Sequence, residues 1–505
     1  MTANDKTKRE KRQLPEWEGS PAARYLILIA ITVLVGLSLI MAFSASSNDA
    51  VIRQVQREFA AQSEAAQTPE ELRENELEYY AALEEAYGQA NEGIVGATDS
   101  SEPTGVLGFI SMLFASAYGA GFRHLLFAIV GAAIAVYISR QDYRKFAPYA
   151  FPVAGILLVL LMFLWLFGTQ VLGSVRWIDF GIFSFQPSEF AKPILILLVA
   201  YYCSWAKDAD EAGPERQRNQ AALPIHRRDW VMPAILVLGC LFAIFISPDV
   251  GTALIIGVGL FAAYVLAGWP WMRLVAGLGA LGTLFIGRLL LIGEGYQQRR
   301  IFEFITYWTE GTASYQTWQA ELALGSGGIL GLGPGLSRQK FRYLPEAHND
   351  FIIAILGEEL GLIGVSLVLL AFAVILFGGI YIASRSEDRL GLALAGSATV
   401  LIVFQALLNI FAVVNLGPVT GKPLPFVTLG GSSMISTFIL IGFIFSVARF
   451  GHFSPPKMRT AKAQSAQFVP TERTVVAKKR RKVRKSRNDR AEKVDDSEDD
   501  IDWQW

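Results

Sequence analysis

Cysteine is almost missing from this chain: Cys203 and Cys240 are the only two among 505 residues, and both stand inside apolar stretches. That excludes a disulfide framework and offers no thiolate metal site. Histidine is nearly as scarce, and His124, His226, His348 and His452 are scattered without metal-ligand spacing. Charge is thin, at 18% of residues against about 25% for a soluble protein. Lysine plus arginine balance aspartate plus glutamate at 45 each, so no overall field points to a partner, and no nucleic-acid binding is expected. Secretory cleavage is not expected either. Residues 25–43 follow a basic segment, but the stretch is long enough to span a membrane and lacks a cleavage site, so it reads as a retained first helix.

What is abundant is hydrophobic sequence, 52% of the chain, gathered in blocks of roughly 20 residues, the length that crosses a bilayer core. Blocks lie at 25–43, 107–139 (spanning from about 124), 147–168, 187–205, 231–246, 251–268, 272–292, 351–384, 390–414 and 433–449. They predict an all-α integral membrane protein of about ten transmembrane helices over residues 25–450. An N-terminal tail, 1–24, precedes it and a charged tail of disorder-prone composition, 451–505, follows. The eighth block is too long for one perpendicular span, so it tilts or extends beyond the lipid.

Lysine and arginine crowd the N-terminal tail and the turns after helices two, four, eight and ten, ending in the run KKRRKVRKSR. All fall on one side if ten helices alternate, which makes both termini cytoplasmic. Residues 44–104 then form an extracytoplasmic insertion between helices one and two, with thirteen acidic residues against Arg53, Arg57 and Arg73. A solvated spacer and a partner-docking element both fit that composition.

The exterior turns hold the unusual motifs: GSVRWIDFGIFSFQPSEFAK at 173–192, PDVGT at 248–252, SRQKFRYLPEAHND at 337–350 and GPVTGKPLPFVTLGGSS at 417–433. Four distant motifs on one face are what a composite exterior site needs. The large loop 293–350 also places Arg299, Arg300, Arg338, Lys340 and Arg342 outside, where cations beside lipid suit a phosphate-bearing ligand. Pro187, Ser188 and Glu189 fit a helix start. Lys192 does not fit capping; a buried lysine in a membrane needs a partner, and Glu189 three residues earlier is the expected one. Asp249 can cap helix six, and Ser432 or Ser433 helix ten. Asp350 either caps helix eight or serves as a general base at the water–lipid boundary. Glu358 and Glu359, two turns further on, need partners within the bundle.

Together the stretches RWIDFGIFSFQPSEFAK, PDVGTA, YQTWQAELALGSGGILGLGPG, LPEAHNDFIIAILGEELGLIG and GKPLPFVTLGGSS closely resemble the SEDS family, of the FtsW and RodA type, over most of residues 25–449. Thr428 and Leu429 stand where that family usually has Ser and Tyr before GGSS. The resemblance implies an inverting peptidoglycan glycosyltransferase that polymerises lipid II at the outer face of the bacterial cytoplasmic membrane, for elongation or division. It makes Asp350 the essential carboxylate and carries over Arg176, Glu189 and Lys192 as cavity residues. Substrate-binding candidates across the motifs are Arg176, Trp177, Gln186, Ser188, Glu189, Lys192, Asp249, Arg338, Lys340, Glu346, His348, Ser432 and Ser433. A divalent cation could share in stabilising the leaving diphosphate, although no carboxylate cluster demands one. The implied partner is a class B penicillin-binding protein transpeptidase. A lipid-linked precursor transporter and a transpeptidase scaffold are the other readings the residues leave open.

Overall fold

In a computed structural model of the chain, the described residues are 21–65, 119–167, 177–179, 184–211, 231–247, 249–272, 296–340, 343–345, 347 and 349–451. Arg176, Arg342, Glu346, His348, most of both tails, most of the acidic insertion and nearly all of the seventh expected span lie outside them. The unit described here falls within Met1–Phe453.

Eleven described α-helices build it: α1 (Pro21–Ala65), α2 (Gly119–Ser139), α3 (Ala150–Phe167), α4 (Pro187–Glu211), α5 (Val231–Ile246), α6 (Val250–Leu266), α7 (Tyr296–Glu310), α8 (Tyr315–Gly327), α9 (Ile352–Arg385), α10 (Arg389–Val413) and α11 (Gly431–Phe450). Nine of the ten expected blocks coincide with α1 to α6 and α9 to α11. Seven of these helices are long and apolar enough to cross a membrane, and α5 and α6 are shorter apolar helices. The chain is a multi-pass, all-α membrane protein. A two-stranded hairpin, β1 (Ile178–Asp179) against β2 (Ser184–Phe185), leads into α4.

Lipid is as apolar as a leucine side chain, so helices in a membrane associate through close packing rather than through burial from water. Gly442 of α11 rests on the backbone of Ala135 in α2, where an added Cβ would come within 3.1 Å. Gly259 of α6 likewise admits Leu401 of α10 and Ile196 of α4. Around that contact Leu195, Ile196, Leu198, Ile255, Ile256, Leu401 and Ile402 are all buried.

Two helices depart from the sequence expectation. The first does not stop near residue 43 but continues unbroken to Ala65, because no proline or glycine interrupts residues 45–65. The long eighth block is not one continuous rod. It breaks at Gly361, whose φ of 64° and ψ of −162° are open only to glycine. The carbonyls of Glu358 and Glu359 freed there accept from Leu332 and Gly333 N–H, each at 2.9 Å, while Leu362 N–H donates to Gly328 O at 2.9 Å. A backbone cannot leave such groups unpaired inside a membrane protein, and the segment after α8 satisfies them.

The two ends of the bundle differ. At one end, Asp388 before α10 accepts from Tyr143 Oη at 2.5 Å and from Arg144 Nε at 3.4 Å. Ser446 of α11 donates to Gln141 O, and Arg389 meets Asp208 at the end of α4. The C-terminal ends of α2, α4 and α11 and the turn from α9 to α10 therefore lie at this end. The glycine-rich motifs gather at the other end.

Candidate active site

The hairpin from the 173–192 motif delivers the chain to Pro187, which starts α4 without needing its missing N–H. Glu189 and Lys192 follow on one face and pair at 2.6 Å, each about 1% exposed. Lys192 Nζ also donates to Gln405 Oε1 of α10 at 2.7 Å. Pro193, next in the helix, has no N–H to offer the carbonyl four residues earlier, that of Glu189. Ser436 of α11 fills the vacancy, donating its hydroxyl to Glu189 O at 2.7 Å.

Beside this pair stands a second. Asp249 caps α6, accepting from Thr252 N–H at 3.3 Å. Its carboxylate also binds the ammonium of Lys422, and that ammonium donates to Thr252 Oγ1 at 2.7 Å. Ser188 Oγ and Gln186 Nε2 reach Asp249 Oδ2 at 3.3 and 3.4 Å. Gln186 N–H donates to Ser432 Oγ at 3.0 Å, joining α4 to the start of α11. Gln405 Nε2 in turn donates to Pro423 O at 2.8 Å, next to Lys422, so the two pairs are linked into one buried quartet. Removing an ion from water costs several kcal/mol, which only an opposite charge and full hydrogen bonding offset.

Asp350 stands next to this quartet, half-buried just before α9. It does not cap the helix: Phe351 occupies that position, with no side-chain cap hydrogen bond. Asn409 of α10 donates one amide hydrogen to Asp350 O at 2.8 Å and the other to Lys422 O at 2.7 Å. Gly421 has φ +66°, and an added Cβ there would lie 3.2 Å from both Asp350 Oδ2 and Arg300 Nη1. The Arg300 guanidinium, tied to Val419 O at 2.9 Å, is thus a cation beside the Asp350 carboxylate.

The structure connects Gln186, Ser188, Asp249 and Ser432 directly, Glu189 and Lys192 through Gln405 and Pro423, and Asp350 through Asn409. Ser433 is buried nearby, its carbonyl accepting from Thr437 Oγ1. It does not cap α11, and neither does Ser432; Gly430 is the N-cap, without a side-chain bond. Trp177 is 38% exposed, before β1. Arg338 and Lys340 belong to a different buried network around the broken part of α9. Glu358 accepts from Ser337 Oγ and from the N–H groups of Arg338 and Gln339. Glu359 pairs with Lys340 at 3.2 Å and accepts from Ser44 of α1 at 2.7 Å. Burial pulls the Lys340 ammonium below the ordinary lysine range, and Glu359 opposes the shift. Lys340 is consequently an internal ion-pair partner, and the Arg338 side chain faces outward.

Sequence reasoning passed over Lys422, Gln405 and Asn409. A signal was present in each case. Lys422 sits among apolar and proline residues as Lys192 does, and Gln405 and Asn409 share one helical face in an otherwise apolar block. Among the described residues, no three His, Cys, Asp or Glu side chains gather as a metal-binding group.

The chain is similar to known proteins. The family profile FTSW_RODA_SPOVE, described as "Cell cycle protein", matches residues 106–452. The "Probable peptidoglycan glycosyltransferase FtsW" of Geobacter metallireducens is 34% identical over 330 residues, covering 65% of this chain and 84% of that protein. "Stage V sporulation protein E" of Bacillus subtilis is 35% identical over 335 residues, covering 66% and 87%. A chain from a solved peptidoglycan synthase complex has the same fold, with a TM-score of 0.51 at 24% identity, over 67% of this chain and 93% of that one. From the match over residues 106–452 and from two relatives above 30% identity, this chain belongs to the FtsW/RodA/SpoVE family.

Proposed function

We propose that this protein is an inverting peptidoglycan glycosyltransferase that polymerises lipid II at the outer face of the bacterial cytoplasmic membrane. The observation that carries the reading is the carboxylate of Asp350, poised beside Arg300 and against the loop at Gly421, at the end of the bundle where all four motifs converge. In this reading both termini are cytoplasmic and the acidic insertion lies outside. The sugar 4-hydroxyl of one lipid-linked chain attacks the anomeric carbon of another. Asp350 takes the hydroxyl proton as the new C–O bond forms. The bond from the anomeric carbon to the diphosphate breaks, and undecaprenyl diphosphate leaves with the electron pair. Arg300 is the cation best situated to stabilise charge that develops beside Asp350, and Arg176 keeps its candidate role there.

A transporter would need polar lining from one face to the other, and the polar motifs joined by Ser432, Asn409 and Lys422 lie at one end of the bundle, which favours the polymerase. The partner in this reading is a class B penicillin-binding protein transpeptidase, in keeping with the synthase-complex relative.

The test is polymerisation of purified lipid II in detergent, with and without a class B transpeptidase, by the parent protein and by Asp350→Asn. Glycan strands from the parent, and a rate lower by about a hundredfold or more from the variant, are expected. Strands made by Asp350→Asn at the parent rate would remove the general base from the scheme.

A further inference from the structure

We infer that Lys422 is a positioning residue for Asp350, acting through the loop before α11. The inference rests on Asp350 being the general base. A lysine at the centre of a site for phosphate-bearing lipid would ordinarily be read as a ligand to phosphate. Its contacts indicate otherwise.

The ammonium of Lys422 is directed to the start of α6, onto Asp249 and Thr252 Oγ1. Its stem lies flat over Gly251, where an added Cβ would come 2.6 Å from Lys422 Cε. Any side chain at residue 251 would lift the lysine off its seat. The side chain is 4% exposed. It faces Asp249 and Thr252, and the buried pair neutralises it.

The backbone of the same loop grips Asp350 in two ways. The carbonyls of Lys422 and Asp350 share the two hydrogens of the Asn409 amide. One residue earlier, Gly421 turns through positive φ and lays its Cα against the Asp350 carboxylate and Arg300. The next residue, Pro423, gives its carbonyl to Gln405 Nε2 at 2.8 Å, and Gln405 in turn accepts from Lys192. The two buried ion pairs therefore hold two consecutive loop residues. Glu189 and Lys192 hold Pro423, and Asp249 holds Lys422. Asp350 takes its height and direction from the loop so fixed. A catalytic carboxylate displaced by about 1 Å can lose on the order of a hundredfold in rate.

The inference predicts a loss in turnover rather than in substrate binding. Lys422→Met, Lys422→Arg and Asn409→Leu would be compared with the parent in the lipid II assay, reading kcat and KM separately. Lys422→Met and Asn409→Leu are expected to lower kcat at least tenfold with KM within twofold of the parent. Lys422→Arg is expected to recover most of the loss. Lys422→Met leaves Asp249 without its partner, so thermal unfolding in detergent accompanies each variant. The neutral pair Lys422→Met/Asp249→Asn supplies the kinetic reading if the single variant does not fold. A raised KM at unchanged kcat would make Lys422 a substrate contact and overturn the inference, as would a folded Lys422→Met with parental kinetics. Asp350→Asn runs alongside. If it is inactive while Lys422→Met is normal, only the positioning role falls; if it polymerises normally, the general-base reading falls instead.

Discussion

Glu189 and Lys192 are joined at 2.6 Å inside α4, one turn apart and both shut off from solvent. The pair ties α4 to α10 through Gln405 and to α11 through Ser436. Breaking such a pair from one side strands a charge, at a cost of about 3–5 kcal/mol, whereas replacing both partners with apolar residues costs far less. Glu189→Leu and Lys192→Met should each lower the melting temperature in detergent markedly, and the double variant should regain much of the loss. Additive losses in the double variant would show that the pair is not an energetic unit.

Asp350→Asn should leave the fold intact. Its hydrogen bond to Asn409 uses the backbone carbonyl, and the carboxamide nearly matches the carboxylate in volume. Polymerisation should fall by about 10² to 10⁴, the range for a lost general base. A variant that melts early would show instead that the carboxylate holds the loop in place.

Gly361→Ala should be among the most damaging single methyl additions in the protein. The residue sits at φ +64°, and the new Cβ would lie 2.4 Å from Gly331 N and 2.5 Å from Ile329 O, both backbone atoms that cannot swing aside. Strain and clash together should exceed about 3 kcal/mol. Gly36→Ala on α1 is the control: nothing lies within 4 Å of its added Cβ, and helix propensity favours the change by up to about 1 kcal/mol. Equal melting temperatures for the two variants would refute the break at residue 361.

At the opposite end, Asp388→Ala should cost about 1–3 kcal/mol, because Tyr143 Oη and Ser386 Oγ both lose a charged acceptor. Tyr143→Phe removes one of those bonds and should cost less. Neither change should alter kcat for lipid II once the protein is folded, which a turnover assay at matched folded fraction would check.

Much of this site was legible in the chain itself. The Glu189–Lys192 pair followed from three-residue spacing on a helix, and Asp249 as a cap followed from its place before an apolar block. Glu358 and Glu359 were bound to have partners, because lipid supplies none. Those partners were not legible. Ser44 and Lys340 meet Glu359 across 315 and 19 residues of chain, a pairing that no local pattern encodes. Lys340 stands among loop cations in the sequence, and only packing reveals that it points inward.

The sequence by itself determined what is local or periodic: the apolar blocks, the basic turns that sort them, and the motifs whose carbonyls, glycines and carboxylates mark one end. These depend on helical rise and bilayer thickness, which act residue by residue. Tertiary structure alone decided which charges neutralise each other, where α9 breaks, and that Lys422 and Asp350 hang from one asparagine. Those outcomes depend on distances between segments far apart in the chain, and only the packed bundle sets such distances.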